Sequence, residues 1–452
     1  MNLVLILIGV IAFIVIATSK FKLHPFLTLI LAAFIAAFAY GLPSSEIAKT
    51  ITTGFGGILG YIGLVIVLGT IIGTILEKSG AAITMADVVI KLLGKRFPTL
   101  TMSVIGYLVS IPVFCDSGFV ILNSLKQSMA NRMKVSSVSM SVALATGLYA
   151  THTFVPPTPG PIAAAGNLGL ESNLGLVIAV GVFVAAIAAL AGMLWANRFA
   201  KVEPDGEGAE ELTSQQADFE ALKQSYGTLP SALSAFAPIF VPILLICFGS
   251  IANFPSAPLG KDTLFSALVF LGQPVNALMI GLLLSLPLLK STNKISEFSE
   301  RISQGLVVSA PILLITGAGG AFGAVLKATP IGDFLGTSLS ALGIGIFMPF
   351  IVAAALKSAQ GSSTVALVAT SALVAPMLGD IGLGSEMGRV LTVMAIGAGA
   401  MTVSHANDSF FWVVTQFSRM SVKQAYKAQT MATLIQGVTS IIVVYLLSLI
   451  LL

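Results

Sequence analysis

The sequence predicts an all-α, polytopic membrane protein. Of its 452 residues 56% are hydrophobic and only 9% charged, with a mean hydropathy of +0.98. A soluble domain carries about 25% charged residues, so this chain cannot coat a water-facing surface of its size. Uncharged stretches near the ~20 residues that cross a bilayer recur at 2–19, 54–76, 172–197, 263–289, 302–326, 334–356 and 428–452. One such stretch could be a buried soluble helix, but the set cannot. Roughly ten to thirteen segments are long enough to span or half-span.

Other classes find no footing. The net charge of +4 comes without a basic run or aromatic–basic interleaving, so nucleic acid is not a partner. Cys115 and Cys247 lie in apolar segments and form neither a disulfide framework nor a CxxC pattern. The N-terminus lacks a basic leader region and a small-residue cleavage site, so 2–19 reads as a retained first span.

Lys and Arg concentrate on cytoplasmic loops. Lys20 and Lys22 follow the first span, which starts it outside; a second span, 25–41, returns outward, and 54–76 comes back to meet Lys78, Lys91, Lys95 and Arg96. Arg198 and Lys201, then Lys290, Lys294 and Arg301, then Arg419, Lys423 and Lys427 also fall inside if the loops alternate. The stretch 201–223 holds seven acids (Glu203, Asp205, Glu207, Glu210, Glu211, Asp218, Glu220) and reads as belonging to an acidic cytoplasmic linker, 201–228, between halves 1–200 and 229–452. The motif Gly69-xxx-Gly73-xx-Leu76 recurs as Gly319-xxx-Gly323-xx-Leu326. Small-residue helix packing explains either copy alone. The first half opens with an outside-to-inside span and the second with an inside-to-outside one, which makes an inverted-topology repeat, an architecture of transporters with midplane sites.

Polar groups interrupt the apolar runs in four places. At 111–119 (IPVFCDSGF) Asp116 stands beside Pro112 and Gly118. A carboxylate at mid-membrane costs several kcal/mol, so this reads as a re-entrant hairpin entering near Phe97–Pro98 and turning at Asp116–Gly118. The helix starting there offers free N–H groups to an anion. At 151–161 (THTFVPPTPGP) four prolines fall within positions 156–161, which no helix continues through. This reads as a discontinuous span with His152 and Thr153 at its edge; a proline-rich external loop is the rival. At 357–364 (KSAQGSST), Gly361 followed by Ser362, Ser363 and Thr364 suits a turn and helix cap. The repeat makes it the tip of a second hairpin, entering from outside. At 404–412 (SHANDSFFW) small and polar residues separate a pair of apolar stretches, and His405 and Asp408 share a face if helical. Intramembrane ionisable residues are functional candidates. HExxH, GxSxG, GxGxxG and P-loop patterns are missing, so the chain is not read as an enzyme, and no spacing supports a metal site or cofactor.

The acid turn at 114–119, the HTFVPPTPGP run at 152–161, the turn at 360–364 and the 404–412 stretch resemble the gluconate permease (GntP) family of proton symporters, within the ion-transporter superfamily. The resemblance covers essentially the whole chain. It implies a multi-pass carrier in the bacterial cytoplasmic (inner) membrane, with elevator-type motion of a moving domain against a scaffold, often as a homodimer. The substrate would be gluconate, a related sugar acid, glycerate or D-serine. Two positions depart from the family pattern, which has Glu at the place of Asp116 and a further His at that of Thr158; a smaller hydroxy acid stays open alongside gluconate.

On this reading Ser117, Gly118, Gly361, Ser362, Ser363 and Thr364 bind the anion, with Thr153 and Asn407 as secondary candidates. Asp116 or Asp408 carries the coupling proton, since a desolvated carboxylate can titrate near physiological pH, and His152 or His405 shares that role or orients the substrate. Sodium held by unwound backbone is the alternative coupling ion. An anion channel and a membrane-embedded enzyme are the remaining alternatives.

Overall fold

The computed structural model describes residues 2–93, 97–206, 224, 226–252, 263–329, 345–406 and 408–452, and among these helix is the only regular structure. Among the described residues six helices are long and apolar enough to cross a membrane, or seven if a bent pair is one span. Shorter apolar helices supply further half-spans, in line with a polytopic protein. Most of the expected linker and the beginning of the expected 334–356 span lie outside the described residues.

α1 (Asn2–Ser19) and α2 (Pro25–Ala39) follow the expected spans, with Pro25 at the first position of α2, where its missing N–H costs nothing. α3 (Ser44–Ser79) is longer than the uncharged stretch that announced it. Glu46 in its first turn and Lys78 in its last complement the helix dipole, and Gly80 (φ +81°) ends it in the left-handed conformation. Its 36 residues reach ~54 Å, beyond the ~30 Å hydrocarbon core. α4 (Ala81–Leu93), α5 (Pro98–Val109), α6 (Cys115–Met133), α7 (Ser137–Phe154), α8 (Pro159–Asn167) and α9 (Leu174–Ala196) complete the first half.

α10 (Ala232–Ala252) opens the second half. The uncharged stretch 263–289 is divided into α11 (Thr263–Leu271) and α12 (Pro274–Ser285), bent by 71°. Pro274 cannot donate into a continuing helix. A Cβ at Gly272 would lie 2.5 Å from the Leu245 carbonyl oxygen, so α10 presses directly on the bend. α13 (Lys294–Lys327) is begun by Asn293, whose side chain accepts from Ser296 N–H, and carries Glu297 in its first turn and Lys327 in its last. α14 (Phe347–Gln360), α15 (Ser363–Val374), α16 (Glu386–Met401) and α17 (Ser409–Phe417) follow. The chain closes with α18 (Val422–Ala425), a π-helical turn Tyr426–Thr430, and α19 (Met431–Leu451).

α3 and α13 pack antiparallel. Gly54 abuts Gly320 and Ala324, while Gly305, earlier in α13, abuts Ile71, later in α3. The two copies of the glycine motif seat the hairpins of their own halves. A Cβ at Gly73 would stand 2.3 Å from the Pro112 carbonyl oxygen, and one at Gly319 would stand 2.6 Å from a Val368 methyl. Inside this frame every residue of α7 is buried, as are nearly all of α15 and α16.

Segments the charge rule puts on one side of the membrane meet at one end of the bundle. The Gly206 N–H donates to the Arg419 carbonyl (2.9 Å), the Ser421 N–H to Asp205 Oδ1 (2.9 Å), and the Thr84 hydroxyl to the Pro230 carbonyl (3.1 Å). At the other end the Asn173 amide donates to the Glu386 carboxylate.

Candidate functional site

The first hairpin is α5, a turn at 110–114, and α6. The turn comes earlier than the sequence indicated, because Pro112 together with Gly73 beneath it fixes the bend. Asp116, Ser117 and Gly118 therefore lie in the first turn of α6, not at the tip. The N–H groups of Cys115, Asp116 and Ser117 have no partner within the helix. That of Gly118 donates to the Phe114 carbonyl (2.8 Å), and a Cβ there would meet Leu148 at 2.7 Å. Gly118 thus serves close packing of α6 on α7, and its N–H is already spent.

The second hairpin is α14, a tip at Gly361, and α15. Gly361 adopts φ +88°, which only glycine holds without strain. Ser362 is the N-cap of α15, its hydroxyl accepting from the Val365 N–H (3.3 Å). The last turn of α14 carries Lys357, fully buried. Its ammonium donates to the Gly361 carbonyl (2.5 Å) and pairs with Asp408 Oδ2 at 2.6 Å.

Asp408 lies in the non-helical break between α16 and α17, where Val403 is left-handed (φ +58°), so His405 and Asp408 do not share a helical face as they would if the segment were helical. Asp408 instead caps α17, with Oδ1 accepting from the Phe410 N–H (3.1 Å) and Oδ2 from the Ser404 hydroxyl. A buried break must satisfy its backbone. The Ser404 N–H donates to Thr433 Oγ1 (2.9 Å), and the Thr430 hydroxyl donates to the Ser404 carbonyl (2.6 Å). His405 Nε2–H donates to the Ser358 carbonyl (2.9 Å), tying this break to the second hairpin. Asn407 lies outside the described residues.

The proline-rich break between α7 and α8 is buried rather than an external loop. Its prolines have no N–H to orphan. The Thr158 hydroxyl donates to the Val155 carbonyl (2.5 Å). α8 packs on α15: a Cβ at Gly160 would lie 3.6 Å from Thr364 Cα, and the Asn167 amide donates to Ser371 Oγ (2.9 Å) and the Val368 carbonyl (3.2 Å). The Thr153 hydroxyl is spent on the Tyr149 carbonyl (3.0 Å), which leaves it no lone donor for a ligand.

These segments converge. The Ser409 hydroxyl, adjacent to Asp408, donates to Asp116 Oδ2 (3.3 Å), joining the first hairpin to the second break. His152 stacks with Tyr149 at 6.4 Å and lies 6.0 Å from the Phe114 ring. Tyr149 in turn stacks on Phe410 at 5.1 Å and lies 5.9 Å below the Lys357 ammonium. Asp116, His152, His405 and Asp408 thus gather around one cation. Buried Asp116 Oδ1, His152 Nδ1 and Gln360 Oε1 have no hydrogen-bond partner among the described residues. Ser363 is buried at the start of α15, and Thr364 faces Gly160.

Lys357 is the residue that the sequence pattern does not single out. In sequence it is one member of a polar turn, although the rule that marks Asp116 applies equally to an intramembrane lysine. Tyr149, Thr430 and Thr433 give no signal in the sequence, since lone Tyr and Thr residues are common in helices. Lys126 is also silent there; it is fully buried, donating to the Phe417 carbonyl (3.4 Å) and Ser418 (3.5 Å) with its ammonium over the Phe119 ring.

A family model described as GntP family permease matches residues 1–450. A gluconate permease of Pseudomonas aeruginosa is 34% identical over 98% of this chain and 97% of its own length. A D-serine transporter, DsdX, of Escherichia coli is 33% identical over 97% of this chain and 96% of its own. Among solved structures, the Alcanivorax borkumensis YdaH transporter superposes with a TM-score of 0.66 at 13% identity, covering 94% of this chain and 98% of that one. The last similarity speaks to the fold alone.

Proposed function

The chain belongs to the GntP family of permeases and is a multi-pass transporter of the bacterial cytoplasmic membrane, not an enzyme; from that premise we propose that it performs proton-coupled symport of a small hydroxy-carboxylate. The observation that carries the proposal is the balance of charge at the buried site. One ammonium, Lys357, faces Asp408 at 2.6 Å, and Asp116 stands one hydroxyl away through Ser409. An anion added there leaves excess negative charge in a medium of low dielectric, which is costly. A proton on one of the two carboxylates offsets the charge that the anion adds. His152 and His405 border the same site and can orient the substrate or share the proton. The open N–H groups at the start of α6, with Ser117, and the Ser362–Thr364 segment of the second tip offer donors for the carboxylate and hydroxyls, whereas the Gly361 N–H is already given to the Lys357 carbonyl (2.9 Å).

An inverted repeat, with halves 1–200 and 229–452 about the linker 201–228, is supported by the antiparallel packing of α3 on α13 and by the parallel duties of Gly73 and Gly319. In an elevator-type cycle the hairpins and the broken spans would move as one body against a scaffold, in a homodimer. The D-serine transporter's near-equal identity favours one further reading, in which the substrate is a hydroxylated amino acid with the same carboxylate.

Reconstitution tests the proposal. In proteoliposomes with an imposed inward pH gradient, gluconate, glycerate or D-serine should accumulate, and a protonophore should abolish the accumulation. Uptake driven by a sodium gradient and indifferent to pH would replace the proton with sodium. Flux that no ion gradient concentrates would indicate a channel.

A further inference from the structure

We propose that Lys357 is the receptor for the substrate's carboxylate, and that Asp408 holds its place in the empty carrier and takes up the coupling proton when the substrate displaces it. This rests on the reading of the chain as a carboxylate symporter and names the exchange at its centre.

The geometry points to a counterion that can be swapped. Lys357 and Asp408 are both removed from solvent, their side chains 0% and 6% exposed, with 2.6 Å between Nζ and Oδ2. Among the described residues Lys357 and Lys126 are the fully buried cations, and Lys126 sits against Phe417 and Ser418 instead. Lys357 also holds the hairpin tip through the Gly361 carbonyl, so whatever binds its ammonium is felt at the tip. An ammonium has three donors and no acceptor. Two donors are committed, to Asp408 and Gly361, and the cation overhangs the Tyr149 ring at 5.9 Å.

The step balances in charge. Before it, an ammonium faces a carboxylate. A monoanionic substrate and a proton enter together; the substrate's carboxylate takes the ammonium, and the proton bonds to an Asp408 oxygen. Net charge is unchanged. The Ser404 hydroxyl, now a donor to Oδ2, can rotate to accept from the protonated acid. A proton alone would leave Lys357 unpaired, and an anion alone would leave Asp408 unpaired. Each is an uncompensated buried charge and strongly unfavourable, so neither ion crosses by itself. The other titratable groups facing Asp408 are Asp116 and Cys115 from α6, Tyr149 and His152 from α7, and His405 from its own segment. None of these touches its oxygens, whereas Lys357 does.

Calorimetric titration of the purified full-length protein with gluconate, glycerate and D-serine, in two buffers of different ionisation enthalpy, counts protons taken up per ligand bound. With the monoanions gluconate and glycerate the wild-type protein should take up about one, with affinity rising as pH falls. Asp408→Asn should still bind, with no proton taken up and no dependence on pH. Lys357→Met should weaken binding at least ~10-fold, the loss of a charge-assisted contact. If that variant does not fold, Lys357→Met/Asp408→Leu, which removes both charges of the pair, serves in its place and should neither bind tightly nor take up a proton. Undiminished affinity in either lysine variant, or proton uptake persisting in Asp408→Asn, overturns the exchange while leaving symport intact. Failure of the wild-type protein to bind any of the three acids overturns the symport reading itself.

Discussion

Single residues set the tolerances of this site. Gly73 leaves no room for a side chain against the Pro112 carbonyl, whereas Gly60 on the same helix has nothing within 4 Å of its would-be Cβ. Gly73→Ala should therefore cost ~1–3 kcal/mol from overpacking and displace the first hairpin, while Gly60→Ala should be neutral or stabilising through helix propensity. Thermal unfolding in detergent together with uptake distinguishes them; equal behaviour of the two variants would show that the hairpin does not lean on Gly73. Asp116 is legible in the sequence because an acid beside proline in an apolar run has no bland explanation. Lys357 is not, because a lysine at the edge of a polar turn can be imagined reaching water. Only its partners at 2.5 and 2.6 Å show that it does not.

At the scale of elements, the sequence located both hairpins and both breaks because proline, glycine and clustered hydroxyls have few uses inside lipid. It misjudged details that depend on neighbours. The first turn falls at 110–114 rather than at 116–118, and the length of the stretch 263–289 gave no sign of its 71° bend. The break at 402–408 is held by a helix almost thirty residues away in sequence, through Thr433 Oγ1 and the Thr430 hydroxyl. Thr433→Val should orphan the buried Ser404 N–H and lower stability by ~1–3 kcal/mol, with transport falling in parallel. Thr433→Ser should restore both. The same unfolding and uptake measurements check this, and a stable, active valine variant would mean that the break satisfies itself in another way.

For the whole molecule, the positive-inside rule and the tertiary contacts agree on which segments share an end. Residues 205, 206, 419 and 421 meet at one end, and Asn173 meets Glu386 at the other. In a background lacking Cys115 and Cys247, a membrane-impermeant maleimide should label Glu386→Cys in intact cells and Lys294→Cys only after permeabilisation. The opposite pattern would reverse the orientation.

Hydrophobic abundance and the spacing of charges made this chain a multi-pass membrane protein from sequence alone, since both follow from the cost of placing charge and bare backbone in lipid, which each segment meets by itself. The polar interruptions marked where that cost is accepted. What the tertiary structure decided is how the interruptions meet: Lys357 on Asp408, Ser409 bridging to Asp116, and Tyr149 beneath the cation. Those pairings join residues tens to hundreds of positions apart. No local pattern encodes them, because a buried charge is stabilised by whichever partner the packing of other helices brings to it.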